Sequence, residues 1–222
     1  MFSIKMGRRA KIAAAVGAGI IAAGIGAKHY SRVDNPDLVG RQKFWAWNSK
    51  SMNVYAGEPG KAKQVGDSKF RLGRTLLRAG YSIYDVRAGG KKVGELKHNF
   101  RIAGRTYKLV STNEVIETLS RTPKMYPARA NWRLTRGGKP FLLITETGPS
   151  AWLPGIHKFH LIDPQTGKRV GELSAKFEVK RFVIGRRDYA MKLDPEYKGH
   201  LTSLEAMGIL TAIGKVENIS LL

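Results

Sequence analysis

The sequence predicts a mainly β fold: an antiparallel sheet closed into a barrel around a buried carboxy-terminal α-helix, with a separate apolar helix at the amino terminus. Three observations predict it. Short segments rich in Val, Ile, Tyr and Phe alternate with glycine pairs and Gly-Lys turns. One hairpin-like unit recurs along the chain. An apolar stretch at helical spacing comes only near the end. The 222 residues suffice for one sizeable core, and 42% apolar content argues against disorder. With no cysteine there is no disulfide framework, thiolate zinc site, iron–sulfur cluster or cysteine nucleophile.

Residues 1–33 form a distinct segment. They carry no acidic side chain, the first being Asp34. A basic head (Lys5, Arg8, Arg9, Lys11) leads into an uncharged run from Ile12 to Ala27, followed by Lys28 and Arg32. As a helix that run rises about 24 Å, short of a hydrocarbon core of roughly 30 Å. Its pattern fits a cleaved signal peptide, an uncleaved membrane anchor with Ala14, Ala18 and Ala22 four apart for close helix packing, a mitochondrial presequence, or an amphipathic or disordered tail. The basic flank favours membrane insertion, so membrane association is expected and mitochondrial targeting stays open. Asp34-Asn-Pro36 then breaks the chain into a second unit, residues 34–222.

Within that unit the repeat defines the strands. One copy reads Tyr81-Ser-Ile-Tyr-Asp85, Gly89-Gly-Lys-Lys-Val93-Gly-Glu-Leu96, then Phe100. The other reads Phe159-His-Leu-Ile-Asp163, Gly167-Lys-Arg-Val170-Gly-Glu-Leu173, then Phe177. A fainter third runs Asn53-Val-Tyr, Gly60-Lys, Val65-Gly, Lys69-Phe70. Each copy predicts a β-hairpin followed by another strand. Tyr81 with Ile83, and Phe159 with Leu161, fall on one strand face by the period of two. Leu96, His98 and Phe100 share a face and match Leu173, Ala175 and Phe177. Asp85 and Asp163 align as turn residues, with one residue of difference in the turn. Hairpins without helices between them give an antiparallel sheet, whose edges a barrel would remove.

Thr202-Ser-Leu-Glu205 is a capping-box signature that starts the final helix. Leu201, Leu204, Met207, Leu210 and Ile213 follow at helical spacing, and Ala206, Ile209 and Ala212 occupy the other faces. A helix apolar nearly all round is buried. This one is too short to cross a bilayer readily, so it is expected inside the barrel.

The order of motifs resembles the LURP-one-related proteins, which share a fold with the tubby carboxy-terminal domain and the phospholipid scramblases. Arg41-Gln-Lys-Phe44, Ser68-Lys-Phe-Arg-Leu-Gly73, the two Asp…Gly-Lys…Val-Gly-Glu-Leu units, Arg187-Asp-Tyr189 and Leu193-Asp-Pro carry it, from about Val39 to Ile213. The resemblance implies a closed barrel of about twelve strands around a central helix. It also implies a role with lipid, since tubby domains bind phosphoinositide head groups and scramblases act on membranes. The chain departs from the scramblases in lacking a cysteine-rich palmitoylation stretch. Its loop before the final helix carries only Asp194 and Glu196, short of the six to eight oxygens of a calcium cage. Calcium-gated scrambling is not expected.

No catalytic constellation or cofactor site is expected. His157-Lys-Phe-His160-Leu-Ile-Asp163 would converge on a helix, but on a strand its histidines point to opposite faces. Gly17-Ala-Gly19 and Gly24-Ile-Gly26 lie in the apolar head, with no preceding strand to make a dinucleotide fingerprint.

Charge points to the partner. The formal net charge is +22, of which residues 1–30 hold five bases. Such a balance calls for a polyanionic neighbour. Basic doublets stand at Lys91-Lys92, Lys168-Arg169 and Arg186-Arg187, the first two at corresponding hairpin turns, so one rim of the barrel is expected to be basic. These six residues are the candidate head-group ligands for an anionic phospholipid membrane. Nucleic acid, or a place in a large RNA or virion assembly, accounts for the charge equally, but no helix-turn-helix, zinc finger or RRM-type aromatic pair accompanies it. Trp45 and Trp47 share a strand face suited to a membrane interface or to the core.

Overall fold

The computed structural model describes residues 33–42, 51–57, 61–71, 81–99, 105–111, 114–121, 131–147, 157–176 and 188–217. The amino-terminal apolar segment, Trp45, Trp47, Phe100, Phe177, Arg186 and Arg187 lie outside the described residues. Twelve strands follow one another: β1 (Leu38–Gln42), β2 (Met52–Tyr55), β3 (Gln64–Phe70), β4 (Tyr81–Ala88), β5 (Lys91–Asn99), β6 (Arg105–Ser111), β7 (Glu114–Arg121), β8 (Asn131–Arg136), β9 (Lys139–Glu146), β10 (Lys158–Ile162), β11 (Arg169–Lys176) and β12 (Asp188–Leu193). A 3-10 turn (Pro195–His200) then leads to α1 (Ser203–Glu217).

Each strand pairs antiparallel with its sequence neighbours, and β1 pairs with β12 from Leu38↔Met191 to Arg41↔Asp188. The sheet is therefore a closed barrel, and among the described residues no strand is left with an unpaired edge. The pairs β2–β3, β4–β5, β6–β7, β8–β9 and β10–β11 all turn at one end of the barrel, called here the hairpin rim. The 3-10 turn leaves β12 at the same end, so α1 enters the barrel from the rim.

Every one of those five hairpins shifts register close to its turn. In β4–β5, Arg87 faces Lys92 but Val86 faces Gly94, leaving Val93 as the extra residue of a bulge. Val65 and Val170 are the extra residues in β2–β3 and β10–β11. Ile116 and Phe141 hold that place in β6–β7 and β8–β9. The repeated Val-Gly of the sequence is thus a bulge followed by a glycine.

The glycine has its own reason. A Cβ on Gly94 would stand 2.5 Å from the Val110 carbonyl oxygen and 2.8 Å from Leu204 of α1. One on Gly66 would strike the Arg87 carbonyl and Met207, and one on Gly171 would lie 2.5 Å from the Lys192 carbonyl. Gly40 of β1 likewise faces Leu210. Leu204, Met207 and Leu210, three apart on α1, therefore lie against glycines on β5, β3 and β1. The remaining volume is filled by Trp132, Phe159, Leu119, Leu134, Leu142 and Leu173, each at most 1% exposed.

The capping box forms as the sequence predicts: Glu205 N–H donates to Thr202 Oγ1 (3.2 Å), and Thr202 N–H donates to Glu205 Oε2 (2.6 Å). Leu204, Ala206, Met207, Ile209, Leu210, Ala212 and Ile213 are all buried. Deeper in the barrel, Gln42 Nε2 donates to the Gly214 carbonyl at 3.1 Å, satisfying one of the carbonyls near the helix end.

One expectation is corrected. The outgoing strands of the two copies are out of phase with the alignment by Asp85 and Asp163. Leu96 faces Tyr84 whereas Leu173 faces Phe159, so Tyr84 and Val86 occupy the inward places of Phe159 and Leu161. An odd shift inverts the faces, so Ile83 lies on the strand face opposite Tyr84 and Val86, where it is nonetheless buried. Asp85 consequently lies within β4 opposite Glu95 and makes no turn. The β4–β5 turn is the pair Gly89-Gly90, both at positive φ (54° and 81°), which a two-residue hairpin of this hand requires. Asp163 is a turn residue: its carboxylate accepts from Gln165 N–H and from the Thr166 hydroxyl, both at 2.9 Å.

Gly94→Ala is expected to cost about 1–3 kcal/mol by forcing β6 or Leu204 aside. Gly199→Ala, in the 3-10 turn with nothing within 4 Å, is expected to change stability by less than about 0.5 kcal/mol. Urea unfolding of both variants measures the difference.

Candidate functional site at the hairpin rim

The bulges decide where the rim charges go. In a regular strand, residues three apart lie on opposite faces; one inserted residue puts them on the same face. Lys92 and Glu95 accordingly meet at 2.6 Å outside the barrel, and Arg169 meets Glu172 at 2.7 Å in the other copy. Lys92 also lies 3.1 Å from Asp85, which Arg71 contacts as well. Burial alone would raise the Asp85 pKa, but hydrogen bonds from Arg71 and Lys92 outweigh it and hold the carboxyl below its usual range. Across β10–β11, burial first and then the Arg169 and Lys158 charges push the His160 imidazole below its ordinary pKa.

The doublets thus divide between two tasks. Lys92 and Arg169 are engaged with acidic partners, whereas Lys91 and Lys168 stand at the rim itself, exposed. Lys168 has one loose partner, Glu196 at 3.6 Å, with the two side chains 67% and 88% exposed. Lys61, Lys63 and Lys139 are exposed at the same end, where Lys198 is paired with Asp37 at 2.7 Å. Arg186 and Arg187 lie outside the described residues.

Beneath the rim a charged cluster joins α1 to the barrel wall. Glu117 of β7 and Arg136 of β8 face one another on the inward side, and Glu205 enters from the first turn of α1. Arg136 Nη2 reaches Glu205 Oε1 at 2.5 Å and donates to the His200 carbonyl at 3.1 Å, while its Nε lies 3.4 Å from Glu117 Oε1. Burial, and then the Glu205 carboxylate, push Glu117 up to about 8. Glu205 goes the other way: burial opposes its ionisation, but hydrogen bonds from Glu117, the Thr202 amide and Arg136 hold it low. The sequence marked Glu205 as a helix cap; Glu117 and Arg136 were missed. Their signal was an acid and a base at inward positions, in step with Leu119 and Leu134.

Outside this cluster, the 3-10 turn, β9 and the β10–β11 loop enclose a cleft of about 460 Å³. Phe141, the bulge residue of β9, and Tyr197 form its apolar wall, their ring centroids 6.1 Å apart. His200 stacks on Tyr197 at 5.1 Å, and the Arg136 guanidinium covers Phe141 at 3.6 Å. Asp163 and Lys168 stand on one lip, Asp194 and Glu196 on the other. Among the described residues, no group of three or more His, Asp or Glu is placed to hold a metal ion.

The histidine motif does not converge. His157 is buried and His160 half-buried on opposite faces of the β10 segment. His157 Nδ1 lies 3.1 Å from Glu146 Oε1, a buried partner that sequence proximity did not indicate because it sits on the adjacent strand.

In comparisons with known proteins, no family model matches the chain, and neither a curated protein nor a solved structure does. Among the described residues, no helix is long and apolar enough to cross a membrane.

The cluster gives a pH dependence with a definite sign. Glu117 ionises near 4.5 when unfolded but near 8 when folded, so the folded state holds the extra proton between those values and stability falls as pH rises across them. Glu205 and Asp85, with depressed folded pKa values, contribute stability that is lost as pH falls through the acid range. Glu117→Gln is expected to flatten the decline between 4.5 and 8 and leave the acid limb in place. Urea midpoints of both proteins across that window check this; an equal decline in the variant would remove Glu117 as its source.

Proposed function

We propose that this chain is a non-enzymatic, membrane-associated binding domain that docks on anionic phospholipid through its hairpin rim. The observation that carries the reading is the placement of Lys91-Lys92 and Lys168-Arg169 at corresponding bulged hairpins of one barrel end. There Lys61, Lys63 and Lys139 add to the same field. Since Glu95 and Glu172 engage the second base of each doublet, Lys91 and Lys168 supply most of the attraction, at about 1 kcal/mol per base near an anionic surface. Arg186-Arg187 and a membrane-inserted segment within residues 1–33 belong to the same proposal, the segment by raising local concentration. The resemblance to the LURP-one, tubby and scramblase proteins supports it, because a closed twelve-stranded barrel around a carboxy-terminal helix is the layout that resemblance implies. The reading is of binding, and it assigns no movement of lipid.

Flotation of the full chain with phosphatidylcholine vesicles, with and without phosphatidylserine, tests it. Phosphatidylserine is expected to increase the bound fraction, and Lys91→Glu with Lys168→Glu to lower the gain at least about tenfold. Gel shifts with duplex and single-stranded nucleic acid run beside it. Steep salt-dependent retention of nucleic acid together with indifference to lipid charge would reverse the assignment in favour of a nucleic-acid partner.

A further inference from the structure

We propose that the cleft between the 3-10 turn and the β10–β11 loop binds a phosphoammonium head group, a phosphate joined by two carbons to an ammonium as in phosphoethanolamine. This rests on the docking reading above and gives it chemical selectivity.

Three observations converge on this ligand. First, the cleft mouth is a dipole. Lys168 on one lip faces Glu196 on the other at 3.6 Å, and both side chains are mostly exposed, so a ligand bearing the reverse dipole can part them at little cost. Second, the carboxylates suited to an ammonium are on the turn side. Asp163 is committed to Gln165 and Thr166 of its own loop, whereas Asp194, which precedes the turn, makes no side-chain capping bond. Asp194 and Glu196 therefore offer negative charge beside the aromatic wall. On a chain of +22, an acidic lip beside a lysine selects against a simple anion and for a zwitterion. Third, size and rigidity agree. About 460 Å³ is at the small end of ligand sites, enough for a head group. The aromatic wall is fixed from behind: Tyr197 Oη donates to the Phe141 carbonyl at 3.3 Å, and Arg136 holds both the Phe141 ring and the His200 carbonyl.

In the resulting mode the ammonium lies against Asp194 and Glu196, and the phosphate meets Lys168. The glycerol end points out of the mouth toward the surface at which the rim lysines act.

Calorimetric titration of the full chain with glycerophosphoethanolamine, glycerol phosphate and ethanolamine tests the assignment. The zwitterion is expected to saturate at about millimolar concentration, and each half alone to bind at least about tenfold more weakly. Asp194→Asn with Glu196→Gln, both exposed positions, is expected to reduce zwitterion affinity about tenfold while the gain in flotation on phosphatidylserine persists. Lys91→Glu, outside the cleft, is expected to do the opposite. Equal affinity for glycerol phosphate and the zwitterion, or an unchanged affinity in the double variant, would overturn the cleft proposal. Zwitterion binding without any preference for anionic vesicles would overturn the rim reading and leave the cleft a site for a free head group.

Discussion

The whole fold depends on how closely α1 approaches the inner wall of the barrel. Twelve strands in sequence order enclose a space that a helix fits only where the wall carries no side chains, and Gly94, Gly66 and Gly40 clear that space on alternate strands. Leu204, Met207 and Leu210 then reach the backbone itself, and small-residue positions on the helix serve the reverse contact, with Gly208 admitting Leu109. Dense interdigitation of this kind tolerates little change in volume, because neither the closed sheet nor the helix has room to yield.

Close approach at a glycine also marks the sequence repeat. Val-Gly-Glu-Leu recurs on β5 and β11 as a bulge, a glycine pressed against the neighbouring strand's carbonyl, an outward acid and an inward leucine. On β5 the glycine also clears Leu204 of α1, whereas on β11 it meets Lys192, Leu161 and Leu193 instead. That much was legible in the residues, as were the antiparallel meander, the capping box at Thr202 and Glu205 and the apolar helix. The phase of the outgoing strand was not. Asp85 and Asp163 look alike in the linear sequence, but a two-glycine turn closes one hairpin and a longer Asp-initiated loop the other, so equal spacing from the repeated glycine hid a shift of three residues. Alternation alone could not expose it, since Tyr84 and Val86 alternate as well as Tyr81 and Ile83 do. The candidate bases were legible as doublets, and their unequal employment was not, because pairing over three residues exists only where a bulge inserts the extra one. The cleft was less visible still, since its walls come from β9, the β10–β11 loop and the turn after β12.

Electrostatics at the rim follows from this geometry as well. A strongly basic chain could scatter its charge uniformly, yet here acids are spent outside the wall on Lys92 and Arg169 and beneath the mouth on Arg136. Glu117 remains protonated to about 8 because it is buried beside the Glu205 carboxylate, and Arg136 only partly offsets both effects. Arg136 bonds to Glu205 and covers the Phe141 ring, tying the plug to the cleft wall.

Closure through β1 and β12 carries a consequence for biogenesis. The seam joins the first strand to the last, and the helix that fills the interior is made only after both. A ribosome therefore delivers a sequence of two-stranded ribbons whose greasy sides have nothing to cover them until translation has passed α1. Contacts of such long range form slowly, and unfinished ribbons invite pairing with other nascent chains. Closure of the barrel therefore waits on β12 and α1, an interval of uncovered ribbons that the sealed margins of the finished barrel do not show.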